Sequence, residues 1–228
     1  MCFSAAASFS ASVVLAGIGV ASIRQIQTKS QIVFACIPLF FAMQQFNEGL
    51  VWISFDSPFN AELNLYGKYG FLIFAQIIWP LWIPIAMVMV ENKGERRKIQ
   101  RVFVAIGIAE SLYQLYCMLN YPAHAEILGH HIYYHIDHPD TFKYLEPAFY
   151  IAAIIVSPFF TSVRKMWLVG MAILISCIIT VIFFQHYTVS VWCFFASIIS
   201  MSVYLIMRKI RMYPNSYLKE SRATSSNT

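Results

Sequence analysis

Seven stretches of this chain, residues 7–23, 31–54, 66–90, 102–120, 144–163, 166–184 and 188–207, are apolar over lengths suited to crossing a hydrocarbon core about 30 Å thick. In lipid each crossing segment must satisfy its own backbone hydrogen bonds, so such a chain is predicted to fold as a bundle of membrane-spanning helices. The 59% hydrophobic and 12% charged residues and the mean hydropathy of +0.61 exclude an average soluble domain and a disordered chain alike. The expected class is therefore all-α, an integral membrane bundle of seven transmembrane helices over residues 1–212. A polar, disordered tail is expected over 213–228.

The few charges orient this bundle. Of sixteen basic residues, Arg24 and Lys29 follow the first stretch, and Lys93, Arg96, Arg97, Lys98 and Arg101 follow the third. Arg164 and Lys165 follow the fifth, and Arg208, Lys209, Arg211, Lys219 and Arg222 follow the seventh. Fourteen fall on one side, against Lys68 and Lys143 on the other. The positive-inside rule then predicts the N-terminus outside and the C-terminus in the cytoplasm. The net charge of +5 reflects this topology and argues for no nucleic-acid partner. No cleavable signal peptide is expected, because Arg24 follows the first apolar run and no basic residue precedes it. Gly17 and Gly19 are predicted to allow close helix packing.

Ionisable and amide groups within apolar stretches are costly and mark candidate sites. Gln44, Glu48 and Trp52 recur at i, i+4 and i+8 on one face of the second stretch, with Gln45 beside them. Glu48 lies about 25 Å up from Gln31. Glu110 and Gln114 repeat the spacing on the fourth stretch, with Glu110 near mid-membrane. Gln76, Glu146, His186 and Trp192 add polar and aromatic groups towards the outer half. Together they predict an outward-facing polar pocket lined by Gln44, Gln45, Trp52, Gln76, Gln114, Glu146, His186 and Trp192. Glu48 and Glu110 are the candidate general bases or proton carriers; each equally fits a hydrogen-bonded acid that helps pack the bundle.

Five of the six histidines, His124, His130, His131, His135 and His138, share the fourth outer loop with Glu126, Asp137 and Asp140. Imidazole and carboxylate suit zinc or copper, and His131 and His135 would share a face if that segment were helical. A solvated loop titrating near neutral pH accounts for the same composition. Cys36, Cys117 and Cys177 read as small buried hydrophobes. Cys2 and Cys193 are placed by topology near the outer surface. There they are candidates for a disulfide, or for metal ligands beside Glu48, His130 and His131.

These residues carry a family likeness. Met1-Cys2-Phe3-Ser4-Ala5, Gln44-Gln45-Phe46-Asn47-Glu48-Gly49-Leu50-Val51-Trp52 and Trp79-Pro80-Leu81-Trp82-Ile83-Pro84 resemble a group of uncharacterised bacterial multi-pass membrane proteins whose members open with MCFSA. Gly129-His130-His131-Ile132-Tyr133 and Ser190-Val191-Trp192-Cys193-Phe194-Phe195 are similar to the same group. The resemblance implies a bacterial source and a seven-span fold, hence the bacterial inner membrane, and it implies no activity. The chain lacks the paired histidines that zinc-dependent membrane hydrolases carry on the last span, the Schiff-base lysine of retinal proteins and the Pro-Gln pair of PQ-loop transporters. Three functions are therefore expected to compete: a sensor or binding protein for a metal ion or small molecule, a metal-dependent lipid hydrolase, and a proton-coupled small-solute transporter with a 3+1+3 helix arrangement.

Overall fold

The structure, a computed structural model, describes residues 4–56, 60–92, 94–129, 131–137, 145–163, 166–183 and 195–212. These residues are mostly helical, and the helices fall on the apolar stretches in sequence order. They are α1 (Ala5–Ile23), α2 (Ile32–Ala35), α3 (Ile37–Ser54), α4 (Ala61–Leu72), α5 (Trp79–Val90), α6 (Gly94–Asn120), α7 (Leu145–Ile151), α8 (Met166–Phe183) and α9 (Ala196–Met212). Among the described residues three helices are long and apolar enough to cross a membrane: Ala5–Ile23, the continuous helix Ala61–Val90, and Gly94–Asn120. The third begins well before the predicted residue 102. Glu95, Arg96, Arg97, Lys98 and Gln100 are good helix formers, so the basic run extends the helix rather than forming a loop.

Local chemistry explains where the helices start and distort. The Ser4 side chain caps α1 by accepting a hydrogen bond from the Ala7 backbone N–H at 3.2 Å. Cys36 separates α2 from α3 just ahead of Pro38, which has no N–H to donate. Two π-helical turns, Ile73–Ile78 between α4 and α5 and Ala152–Val156 after α7, each precede a proline, Pro80 and Pro158. A proline ring clashes with the carbonyl four residues back. Those carbonyls belong to Gln76 and Ile154, inside the two π turns, which widen the helix to admit the ring.

α1 lies along α3, and α9 packs on both. Ser12 Oγ donates to the Ala42 carbonyl at 2.8 Å, and a Cβ on Gly49 would lie 2.7 Å from the Phe9 ring. Gly19 permits a similar approach to Leu39, whereas nothing lies within 4 Å of a Cβ on Gly17. Only one of the two glycines of α1 thus serves the predicted close packing. The main core joins α1, α3, α5, α8 and α9 through Leu15, Ile37, Phe41, Trp79, Ile83, Met87, Ile173 and Met207.

The all-α expectation needs one correction. The histidine-rich loop forms an antiparallel hairpin, β1 (Ala123–Leu128) and β2 (His131–Ile136), with His124 opposite His135. Side chains alternate in both strands, and Gly129 has φ of 66°, the left-handed backbone that a tight hairpin turn requires. Ala123 and Ile136 pack into a second core with Phe71, Leu72, Cys117 and Met118. Tyr134 stacks on Phe71 at 4.3 Å, and Lys68 Nζ donates to the Ala123 carbonyl at 2.5 Å, tying the hairpin to α4.

Candidate functional site

The expected polar residues separate into two groups. On α3, Gln44, Gln45 and Glu48 are all buried, Glu48 completely. The helical spacing aims them inward, as predicted. Gln45 Nε2 donates to Glu48 Oε2 at 3.0 Å, and Trp79 Nε1 of α5 donates to Gln44 Oε1 at 2.6 Å. Trp79, read from sequence as part of a family motif only, is therefore a polar partner of this group. Trp52 lies one turn above Glu48, and its indole N–H is buried without a hydrogen bond.

The second group is built at the junction of three helices. Glu110 and Gln114 face inward from α6, each 2% exposed, and Glu146 approaches from the first turn of α7, partly exposed. The Gln114 amide nitrogen donates to both acids, to Glu110 Oε1 at 2.9 Å and to Glu146 Oε1 at 2.7 Å. The amide oxygen of Gln114 is buried with no hydrogen-bond partner. The π turn before α5 supports the cluster from a third side. Its Ile77 carbonyl accepts from Ser111 Oγ and its Ala75 carbonyl from the Tyr150 hydroxyl, both at 2.7 Å. Ser111 adjoins Glu110, and Tyr150 stands one turn beyond Glu146. Gln76, between those two carbonyls, also has a buried side-chain oxygen without a partner. The structure thus unites Glu110, Gln114 and Glu146 and sets Gln76 on the adjoining turn.

A third polar network, at the other end of α6, escaped the sequence reading. Gln100 and Ser157 are both fully buried and paired twice: Gln100 Nε2 donates to the Ser157 carbonyl at 2.8 Å, and Ser157 Oγ donates to Gln100 Oε1 at 3.0 Å. The Glu91 carboxylate accepts from the backbone N–H and the hydroxyl of Ser162, and Arg96 donates to the Thr161 carbonyl at 2.8 Å. In the sequence Arg96 reads only as one of the basic residues that orient the bundle, and nothing there singles out Glu91.

On the hairpin, Asp137 bridges His124 and His135, each carboxylate oxygen 3.0 Å from one Nε2. All three side chains are about half exposed. The segment that would place His131 and His135 on one face if helical is a strand instead, with His131 buried and His135 exposed. Among the described residues no three His, Cys, Asp or Glu side chains are placed to hold a metal ion. Of the expected metal ligands, Glu48 and His131 stand on different elements, α3 and β2. Cys2, His130 and Cys193 lie outside the described residues, as do the pocket candidates His186 and Trp192. Cys36, Cys117 and Cys177 are free thiols, Cys117 buried and the others partly so.

The fold and these buried clusters define a mostly helical protein; among the described residues three helices are apolar and long enough to cross a membrane. The sequence model of DUF6629, a family of unknown function, matches residues 1–217, and the chain belongs to that family. No curated protein and no solved structure matches it.

Proposed function

We propose that the chain is a seven-span protein of the bacterial inner membrane, N-terminus outside and C-terminus in the cytoplasm. Its working site is an outward-facing polar pocket around Glu110, Gln114 and Glu146 that binds a small solute. The observation that carries this reading is the inverted character of α6. Glu110, Ser111 and Gln114 are buried at 2–5% exposure, while Ile108, Leu112 and Leu119 on the same helix are 43%, 61% and 76% exposed. In water such an arrangement would forfeit apolar burial and desolvate polar groups together; against hydrocarbon the exposed face costs nothing and the polar face must turn inward. Val13 and Val14 on α1, Ile182 on α8 and Leu205 on α9 extend the exposed apolar surface to other helices. The distribution of Lys and Arg supports the orientation. Glu146, partly exposed on the first turn of α7, would then form the outer mouth of the pocket, with Gln114 and Glu110 progressively deeper.

A transport role for the same pocket is favoured by the two π turns, whose helices flank α6 and have weak points at the depth of the site.

Topology mapping tests the reading. In intact cells a membrane-impermeant thiol reagent should label a cysteine placed at Glu126, on the hairpin, and should reach one at Lys98 only after permeabilisation. The opposite pattern, or equal labelling of both before permeabilisation, refutes the orientation and with it the outward pocket.

A further inference from the structure

Resting on the membrane part of that reading and on nothing at the pocket, we infer that the outer face of α9 binds an anionic phospholipid. Its phosphate is held at Arg208, and an acyl chain runs along Leu205, Met201 and Ile198. α9 has two opposed faces. Ile199, Val203, Ile206, Met207 and Ile210 are buried against the bundle, whereas Ile198, Met201 and Leu205 are 52%, 44% and 53% exposed. Those three and Arg208 recur at i, i+3, i+7 and i+10, a single stripe of the helix, and Arg208 is exposed near its C-terminal end. From Ile198 to Arg208 the helix rises about 15 Å, half of a hydrocarbon core about 30 Å thick. The apolar part of the stripe thus spans one leaflet, with a guanidinium at the depth of the headgroups.

Charge selects the lipid. Arg211 Nη1 donates to the Arg24 carbonyl at 3.0 Å and to Gln25 Oε1 at 3.2 Å, which ties the end of α1 to the last turn of α9. Residues 24–31 and 205–212 contain Arg24, Lys29, Arg208, Lys209 and Arg211, and no acid. Each helix C-terminus carries about half a negative charge, so the ends of α1 and α9 offset about one of these positive charges and leave a surplus. The start of α6 differs, because there Glu95 pairs with Lys98 at 2.8 Å. Arg211 is committed to the fold, while no acid among the described residues pairs with Arg208. A guanidinium fork matches a phosphate bidentately, and the stripe above it in the membrane matches an acyl chain. A zwitterionic lipid offers the chain without net charge, and a free phosphate offers the charge without the chain.

The test uses the full-length protein in a neutral detergent, titrated with a short-chain phosphatidylglycerol and followed by native mass spectrometry and thermal unfolding. Phosphatidylcholine of the same chain length and glycerol phosphate, the headgroup without chains, are the comparisons. Phosphatidylglycerol should bind saturably and raise Tm, and both comparisons should bind more weakly. Arg208→Gln leaves the buried face of α9 intact and should weaken phosphatidylglycerol about tenfold. Arg208→Lys should weaken it less, because it keeps the charge and loses the fork. Lys98→Gln removes the same charge from the predicted cytoplasmic side and should leave binding unchanged. Equal binding of phosphatidylcholine, equal binding of glycerol phosphate, or equal loss in Lys98→Gln and Arg208→Gln overturns the site. The titration does not depend on orientation. Cysteine labelling that fails while lipid binding holds removes the seven-span reading alone, and labelling as expected without lipid selectivity removes only this inference.

Discussion

Replacing Gly107 by alanine opposes two forces whose signs differ. Alanine is favoured over glycine within a helix by about 1 kcal/mol, so propensity alone predicts a more stable protein. The packing predicts the reverse. A Cβ on Gly107 would overlap the Pro80 carbonyl oxygen and lie 2.9 Å from the Pro80 carbonyl carbon. These are backbone atoms that cannot rotate aside, so α6 must move off α5. Overpacking of this kind costs about 1–3 kcal/mol. Separation also stretches the bond from Ser111 Oγ, one turn along, to the Ile77 carbonyl, which contributes about 1 kcal/mol. The net expectation is a loss of about 1–3 kcal/mol. At about 2–4 °C per kcal/mol for a chain of this size, Tm in detergent should fall by roughly 2–12 °C. Gly17→Ala is the control: nothing lies within 4 Å of its Cβ, so propensity acts unopposed and Tm should hold or rise. A Gly107→Ala protein at least as stable as wild type would refute the close approach of α5 and α6 on which the geometry at Glu110 depends.

Three further outcomes follow from the same structure. Ser157→Ala leaves Gln100 Oε1 in a fully buried site without its hydroxyl donor and should cost about 1–3 kcal/mol in chemical denaturation; a change within about 0.5 kcal/mol would argue against the paired bonds. Trp79→Phe keeps an aromatic ring against Phe41, at 4.1 Å in the native protein, but removes the 2.6 Å bond to Gln44. It should cost about 1 kcal/mol, and an unchanged unfolding midpoint would show that the indole N–H contributes nothing. Asp137→Asn weakens the bridge between two half-exposed histidines and should change stability by no more than about 1 kcal/mol, less at high salt. A loss of several kcal/mol would mean that the bridge, rather than the packing of Ala123, Tyr134 and Ile136, holds the hairpin.

What was legible in the sequence was periodic. Apolar run length located the helices because a long apolar run satisfies its own backbone polar groups within the segment when it is helical. The i, i+4 spacing of Glu110 and Gln114 likewise predicted a shared inward face. What escaped depends on pairing between distant residues. Nothing in the spacing of Trp79 announces Gln44 as its partner, and Gln100 sits in a basic run whose character hid it. The signals for the hairpin are present, since alternating apolar and polar residues flank Gly129-His130, but a segment so dense in histidine fits a metal-ligating or a solvated loop equally well. Gly17 and Gly19 looked alike in sequence and differ only in what α3 places against them.

The prolines show how a local rule becomes a site. Pro80 and Pro158 each force a π turn in the helix that precedes them, and a π turn releases carbonyls from the regular α-helical ladder. Next to Pro80 the carbonyls of Ala75 and Ile77 are taken up by Tyr150 and Ser111, from the two helices that carry Glu146 and Glu110. A proline that would weaken an isolated helix thus creates two bonds between helices, and those bonds hold three helices at the depth where the two acids meet one amide. On that account the acids do not organise the junction. The distorted helix does, and the carboxylates occupy a frame that would persist without them, so neutralising either acid should change how the helices pack very little.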